Sequence, residues 1–421
     1  MKIKNIAAIW VLDSRGVPTV HATVESEKGV MQASVPSGAS VGKFEAVEKR
    51  DGIKTEFAGK GVKEAVANVN TKIRDLLVGN TYKTINEVDE AMRQRDGTEN
   101  KSNLGANAML AVSLACTRLF ALEAGLPLYA YLGLERKMAL PTPMMNILNG
   151  GAHASNNIDI QEFMVMPVGA ETYPAALQMG AEIYAALKAE LAQKGLSTAV
   201  GDEGGFAPNL RADEEALEYI MQAVKQVGVE KEIVLALDAA ASEWVTEKGY
   251  LLPKSKKAYT SEELVTYYKG LVEAYPIASI EDPMGEEDYA GFAAITKALP
   301  IQIVGDDLFV TNTTRIKQGI EENLANAILI KLNQIGTVSE TIAAVDMGNA
   351  AGFSSIISHR SGETEDSFIA DFSVGLGTGQ IKTGAPARGE RTAKYNRLAM
   401  IAAEDASIPY AKNAYIIGQT K

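Results

Sequence analysis

The sequence predicts an α/β protein, with a smaller N-terminal α+β domain over residues 1–137 and a C-terminal β/α barrel over residues 138–421. Three observations lead there. At 421 residues the chain exceeds what one hydrophobic core organises, so two domains are expected. Strand and helix patterns are mixed in the first part, whereas the second repeats a short apolar run, an ionisable residue and a helical segment. The runs are continuous rather than alternating, as expected of parallel strands buried on both faces of a barrel sheet.

In the N-terminal part, residues 6–12, 19–25 and 31–35 read as strands, the later two joined through Glu27-Lys28-Gly29 as a three-stranded meander. Helical patterns follow at 62–77, 85–94 and 106–124, and Pro141 and Pro143 then punctuate the chain, which puts the boundary near Lys137. Lys2 and Lys4 before the apolar run 6–12 loosely imitate an export signal. The run stops at Asp13-Ser14-Arg15-Gly16 without a small-residue cleavage site, so a buried strand is expected. The stretch 106–121 is interrupted by Asn107 and Arg118 and suits a core helix better than a membrane span.

Composition narrows the function. An apolar fraction of 46% and a charged fraction of 22% belong to a globular protein. A net charge of −12 argues against nucleic acid or an anionic membrane as partner. The single cysteine, Cys116, excludes a disulfide framework and a cysteine zinc cage, and fits a reducing, cytoplasmic compartment.

In the barrel, six apolar runs end in Asp238, Glu281, Asp306, Lys331, His359 and Lys382, the last five of these 25, 25, 28 and 23 residues apart. Each interval accommodates one helix and the return to a parallel strand, and the carboxyl ends of such strands share one mouth. Three carboxylates there, Asp238, Glu281 and Asp306, would repel one another without a cation. Oxygen donors with no sulfur favour Mg²⁺. Lys331, Arg360 and Lys382 beside that cation make a pocket for a compact anion. Neighbouring positive charge should also lower the pKa of Lys331 toward that of a general base. Glu203 in Gly201-Asp202-Glu203-Gly204-Gly205, and Glu162 after Gly150-Gly151-Ala152-His153, add two acids on or beside glycine-rich loops. The segment Gly38-Ala39-Ser40-Val41-Gly42-Lys43 is one residue short of a Walker A loop, and Phe44 replaces its hydroxyl. Gly375-Leu376-Gly377-Thr378-Gly379 is not a dinucleotide fingerprint, which leaves no case for ATP or NAD.

Asp13-Ser14-Arg15-Gly16, Val35-Pro36-Ser37-Gly38-Ala39-Ser40, residues 201–209, Ser279-Ile280-Glu281-Asp282, Lys331-Leu332-Asn333-Gln334-Ile335-Gly336, residues 358–366 and residues 379–386 together resemble the signatures of the enolase family along essentially the whole chain. The resemblance implies a barrel of enolase type and dehydration of 2-phosphoglycerate to phosphoenolpyruvate with two Mg²⁺ ions. It implies Asp238, Glu281 and Asp306 as ligands of the first ion, and Ser40, on a segment that closes in the family, as ligand of the second. Lys331 matches the base for the C2 proton, Glu203 the acid for the C3 hydroxyl, and Glu162 its support. Arg360 and Ser361 match phosphate-binding positions, Lys382 a ligand of the substrate carboxylate, and His153 and Gln161 residues on the substrate's other side; His359 matches a pocket histidine of open role.

The departures from the family avoid this set. Val17 and Val41 replace the usual Asn and Thr. The family default is a homodimer held by two ion pairs. Here Ile9 replaces the arginine that would pair Glu390, and His21 and Met400 stand for the second pair. An altered subunit contact is expected, with Glu390 left without its partner. A superfamily member acting on another carboxylic acid, and a catalytically idle paralogue kept for binding, are the competing readings. The second should have damaged the acid–base residues or metal ligands, and none is damaged.

Overall fold

The computed structural model describes residues 1–39, 42–412 and 414–415; Ser40 and Val41 lie outside the described residues. Strands β1 (Asn5–Leu12), β2 (Pro18–Glu25) and β3 (Val30–Ser34) form an antiparallel meander in the order expected. The helix Ala106–Ala124 packs across β2 and β3. It is apolar on nearly all sides, so it is stable only where surrounded, and it is the one described helix long and apolar enough to cross a membrane; most of it is buried inside the protein. The helical stretch expected at 62–77 is interrupted by a π-type turn at Val69–Ile73. There the Asn70 side chain donates to Ala8 O at 2.9 Å and accepts from Ala8 N at 2.8 Å. The amide thus pairs with the outer edge of β1 as a further strand would, which blunts an exposed edge.

Eight strands close the barrel: β4 (Thr142–Asn149), β5 (Glu162–Met166) and β6 (Val234–Asp238), then, after a small sheet of β7 (Val245–Thr246), β8 (Gly249–Leu251) and β9 (Ala258–Tyr259), β10 (Ile277–Glu281), β11 (Gln302–Gly305), β12 (Ala327–Ile330), β13 (Ser354–Ser358) and β14 (Gly379–Lys382). Met144, Met164, Met166, Val304, Leu329 and Ile356 fill its interior. The expectation of uniformly parallel strands is corrected at one place, because β5 runs antiparallel to both β4 and β6. The connection 150–161 holds a single 3-10 turn and no crossover helix, so the chain returns as a hairpin. Reversal brings the first residue of β5, Glu162, to the mouth where the other strands end, in register with Asn149 and Asp238.

The N-terminal part is clipped to the barrel by polar contacts. Arg118 forms a two-pronged pair with Asp366 at 2.7 Å, and Lys101 reaches Glu340 at 3.1 Å. At the mouth, Ser37 and Gly362 exchange backbone hydrogen bonds of 2.8 Å. A Cβ at Gly362 would stand 2.4 Å from Asp13 Oδ2 and 2.7 Å from Ser37 O, so this close approach requires glycine. Glu390 accepts from Arg388 Nε at 2.6 Å within the same chain.

Asp89, fully buried, accepts from Ser339 N at 2.9 Å and joins the helix Ile85–Asp96 to the barrel helix Val338–Ala350. Burial raises its pKa to about 6. A carboxyl with a raised folded-state pKa contributes stability that is full below its unfolded pKa and lost as pH rises through the folded value. The Asp89→Asn protein should therefore gain on the wild type as pH rises from about 4 to about 7 and level off above that, by on the order of 2–3 kcal/mol in total; denaturant midpoints of the two measured across this range test it.

Candidate active site

The barrel gathers the predicted residues from separate strands. Asp238, Glu281 and Lys382 are the last residues of β6, β10 and β14, and Glu162 is the first of β5. Asp306, Lys331 and His359 directly follow β11, β12 and β13. One cavity is lined by His153, Gln161, Glu162, Glu203, Asp238, Asp306, Lys331, His359, Arg360, Ser361 and Lys382. Glu281 does not line it but reaches it through Lys382. Ser40 lies outside the described residues.

Lys382 Nζ stands at the centre of the charge, 2.7 Å from Glu281 Oε2, 3.0 Å from Asp238 Oδ2 and 3.2 Å from Glu162 Oε2. Burial opposes its charge, but Asp238, Glu162 and Glu281 outweigh burial and raise its pKa well above the ordinary lysine value. Lys331 hydrogen-bonds Asp306. The lowered pKa expected for Lys331 is corrected: burial would lower it, yet contact with the Asp306 carboxylate raises it overall. Asp306 falls below the usual carboxylate range against its burial, because Lys331 is beside it.

The opposite wall carries the other acids. The ligand atoms of His153, Glu162 and Glu203 all lie within 4.8 Å of one another. Burial, and then the neighbouring Glu203, push Glu162 well up. Glu203 falls well below the usual range despite burial, because His153 and His359 face it. Two carboxyls this close titrate as a pair, with Glu162 pushed up and Glu203 held down.

The acids fit a hard divalent cation. Glu281 Oε1 is buried with no hydrogen-bond partner, and burial followed by the Asp238 charge raises the Glu281 pKa well above its ordinary value. Negative charge exceeds what two lysines balance. Here Lys382 engages Asp238 and Glu281, and Lys331 engages Asp306. Asp306 also belongs, with Asp282 and Asp307, to a compact group that could hold a metal ion. Asp282 was not foreseen as a site residue. Its two oxygens accept the Asp306 and Asp307 amides at 2.8 and 2.9 Å, which aims the Asp306 side chain. The doublets Glu281-Asp282 and Asp306-Asp307 at consecutive strand ends were the available signal.

Arg360 makes a two-pronged pair with Glu45 at 3.0 and 3.1 Å and donates to Asn333 at 3.0 Å. Ser361 Oγ accepts from Ala39 N at 2.7 Å and Arg15 Nη1 at 3.3 Å. Arg15 also donates to the Ser37 and Gly38 carbonyls, so the Asp13-Ser14-Arg15-Gly16 turn ties the N-terminal segment to the mouth.

Family models for "Enolase, N-terminal domain" and "Enolase, C-terminal TIM barrel domain" match residues 3–132 and 137–416. The chain belongs to the enolase family. The reversed β5 and the ring of strand-end acids are thus features of an enolase barrel, and the acidic groups at its mouth could hold a metal ion.

Replacing one partner of a buried charge cluster leaves the rest uncompensated. In this enolase-family chain Lys382→Met should cost on the order of 3–5 kcal/mol of stability in metal-free buffer. Added Mg²⁺ should restore part of it. Calorimetry with and without the ion measures both, and an unchanged melting temperature without metal would remove Lys382 from its central place.

Proposed function

We propose that the chain is a glycolytic, cytoplasmic phosphopyruvate hydratase, a hydro-lyase that reversibly dehydrates 2-phosphoglycerate to phosphoenolpyruvate with Mg²⁺. One observation carries the reading. In the eight-strand order β5 and β12 stand opposite each other, which puts Lys331, after β12, and Glu162, at the start of β5 with Glu203 close by, on opposite sides of the mouth. A base and a proton source on opposite faces of a bound molecule suit elimination. Lys331 takes the proton from C2, the C2 electron pair forms the double bond, the C3–oxygen bond breaks, and the hydroxyl leaves as water with the proton of the acid pair. Glu203 is the group we assign to that hydroxyl, with Glu162 holding and passing the proton.

Asp238, Glu281 and Asp306 would hold Mg²⁺, which when bound stabilises the negative charge that builds on the substrate carboxylate. A lysine base with Mg²⁺ is an established pairing in enolase-superfamily sites, so that pairing is not new here. Lys382 balances the same carboxylate. Arg360 and Ser361 bind the phosphate, His153 and Gln161 contact the far side of the substrate, and Ser40 is assigned to a second Mg²⁺. Asp306 is both a proposed metal ligand and the group that holds the Lys331 proton, so engaging it elsewhere frees Lys331 as a base. A catalytically idle binding paralogue is disfavoured because every one of these residues is intact.

Phosphoenolpyruvate formation should appear with Mg²⁺ and vanish with EDTA. It should fall roughly 10²–10⁴-fold in Lys331→Ala and in Glu203→Gln. Full activity in Lys331→Ala would sink the base assignment, and no turnover by the wild type would favour the idle paralogue. We also propose a homodimer whose contact is apolar where the family uses ion pairs, because Ile9 and Met400 are 59% and 57% exposed. Light scattering should then give the same dimer at low and high salt, and salt-induced dissociation would contradict it.

A further inference from the structure

Arg391, in the helix Gly389–Glu404, is completely buried beside the candidate active site. A guanidinium has five N–H donors and no acceptor. Nη1 donates to Arg360 O at 2.6 Å and contacts His359 Nδ1 at 2.7 Å. Nη2 donates to Asp202 O at 2.9 Å and Ser361 O at 2.7 Å, while Nε faces Glu390 at 3.5 Å. The contact with the imidazole can run in only one direction: the arginine gives and Nδ1 receives. In a neutral ring the other nitrogen then carries the proton. That nitrogen, Nε2, is buried with no hydrogen bond formed, and the nearest carboxylate oxygen, Glu203 Oε2, stands 3.4 Å away.

We propose that Arg391 is a positioning residue that locks His359 as the neutral Nε2–H tautomer, so that the ring presents a fixed N–H toward Glu203 and transfers no proton itself. The inference rests on the role assigned to Glu203 above and gives His359 the function that its sequence context left open. Protonating Nδ1 would set two donors against each other inside a buried site. Burial is the largest cause of the depressed His359 pKa, about 3, with Arg391 adding to it, so the ring stays neutral at physiological pH. The same guanidinium ties Asp202, next to Glu203, to the backbone of Arg360 and Ser361. One side chain therefore orients the donor, the turn of the acid and the segment assigned to phosphate.

The protein has three histidines, His21, His153 and His359, so ¹⁵N-histidine labelling and long-range proton–nitrogen spectra can read each ring. The His359 signals are those lost in His359→Gln. Wild-type His359 should show a protonated Nε2 and a bare Nδ1 from about pH 5 to 8. In Arg391→Met the ring should become a mixture of tautomers, and kcat should fall roughly 10- to 100-fold. An Nδ1–H ring or an imidazolium in the wild type at neutral pH would overturn the proposal, as would an unchanged tautomer in Arg391→Met. The wild-type spectrum needs no variant, so it decides the tautomer even where the Met protein does not fold. It is also taken without substrate. A correct tautomer in a protein that forms no phosphoenolpyruvate would support the lock and remove the proposed function; an Nδ1–H ring in an active enzyme would do the reverse.

Discussion

A buried ammonium sits among acids that arrive on different strands, and much of the barrel mouth follows from that contact. Lys382 at the end of β14 is shared by Glu162 of β5, Asp238 of β6 and Glu281 of β10. Charges removed from water must be paired where they stand. The pairing is possible only when the sheet has closed with these strands in one register, with Asp238 beside both Glu162 and Glu281. Lys331 and Asp306 make a second, smaller contact of the same kind between β11 and β12. The site is therefore a product of barrel closure, and its charge balance leaves an acidic excess suited to a divalent cation.

A second set of buried polar groups holds this arrangement in place, and of these Asp282 also lines the cavity. Asp282 accepts the two amides that follow β11, and Gln334 donates to Asp306 Oδ1 at 2.9 Å. Asn146 donates to Glu203 Oε2 at 3.0 Å, and Arg391 gathers three carbonyls and one ring nitrogen. Arg15 and Glu45 bring the N-terminal part into the same network by way of Ser361 and Arg360. The loops of the N-terminal part thus contribute to the mouth instead of merely covering the barrel. Their contacts in that network fall on Arg360 and Ser361, while the acids themselves are held by groups of the barrel part.

Much of this was legible in the residues. Continuous apolar runs ending in Asp238, Glu281, Asp306, Lys331, His359 and Lys382 correspond to β6 and β10–β14, because strands buried on both faces cannot alternate in polarity. The meander strands and the helix Ala106–Ala124 were equally readable from their apolar pattern and flanking glycines. Other features were not. The reversal of β5 depends on the absence of a crossover helix in 150–161, a stretch whose length alone does not decide between hairpin and crossover. The raised pKa of Lys331 depends on which carboxylate its ammonium meets, and spacing does not reveal that.

By itself the sequence determined the barrel class, the identity of the strand-end residues and, through its motifs, the enolase family, because burial periodicity and residue chemistry are local properties of the chain. Only the tertiary structure decided that Glu162 enters from a reversed strand, that Lys382 is shared by three acids, and that Arg391 faces His359 from a helix beyond β14. Those are distances and directions between segments remote in sequence. They exist only once the sheet has closed and burial forces each charge to find a partner.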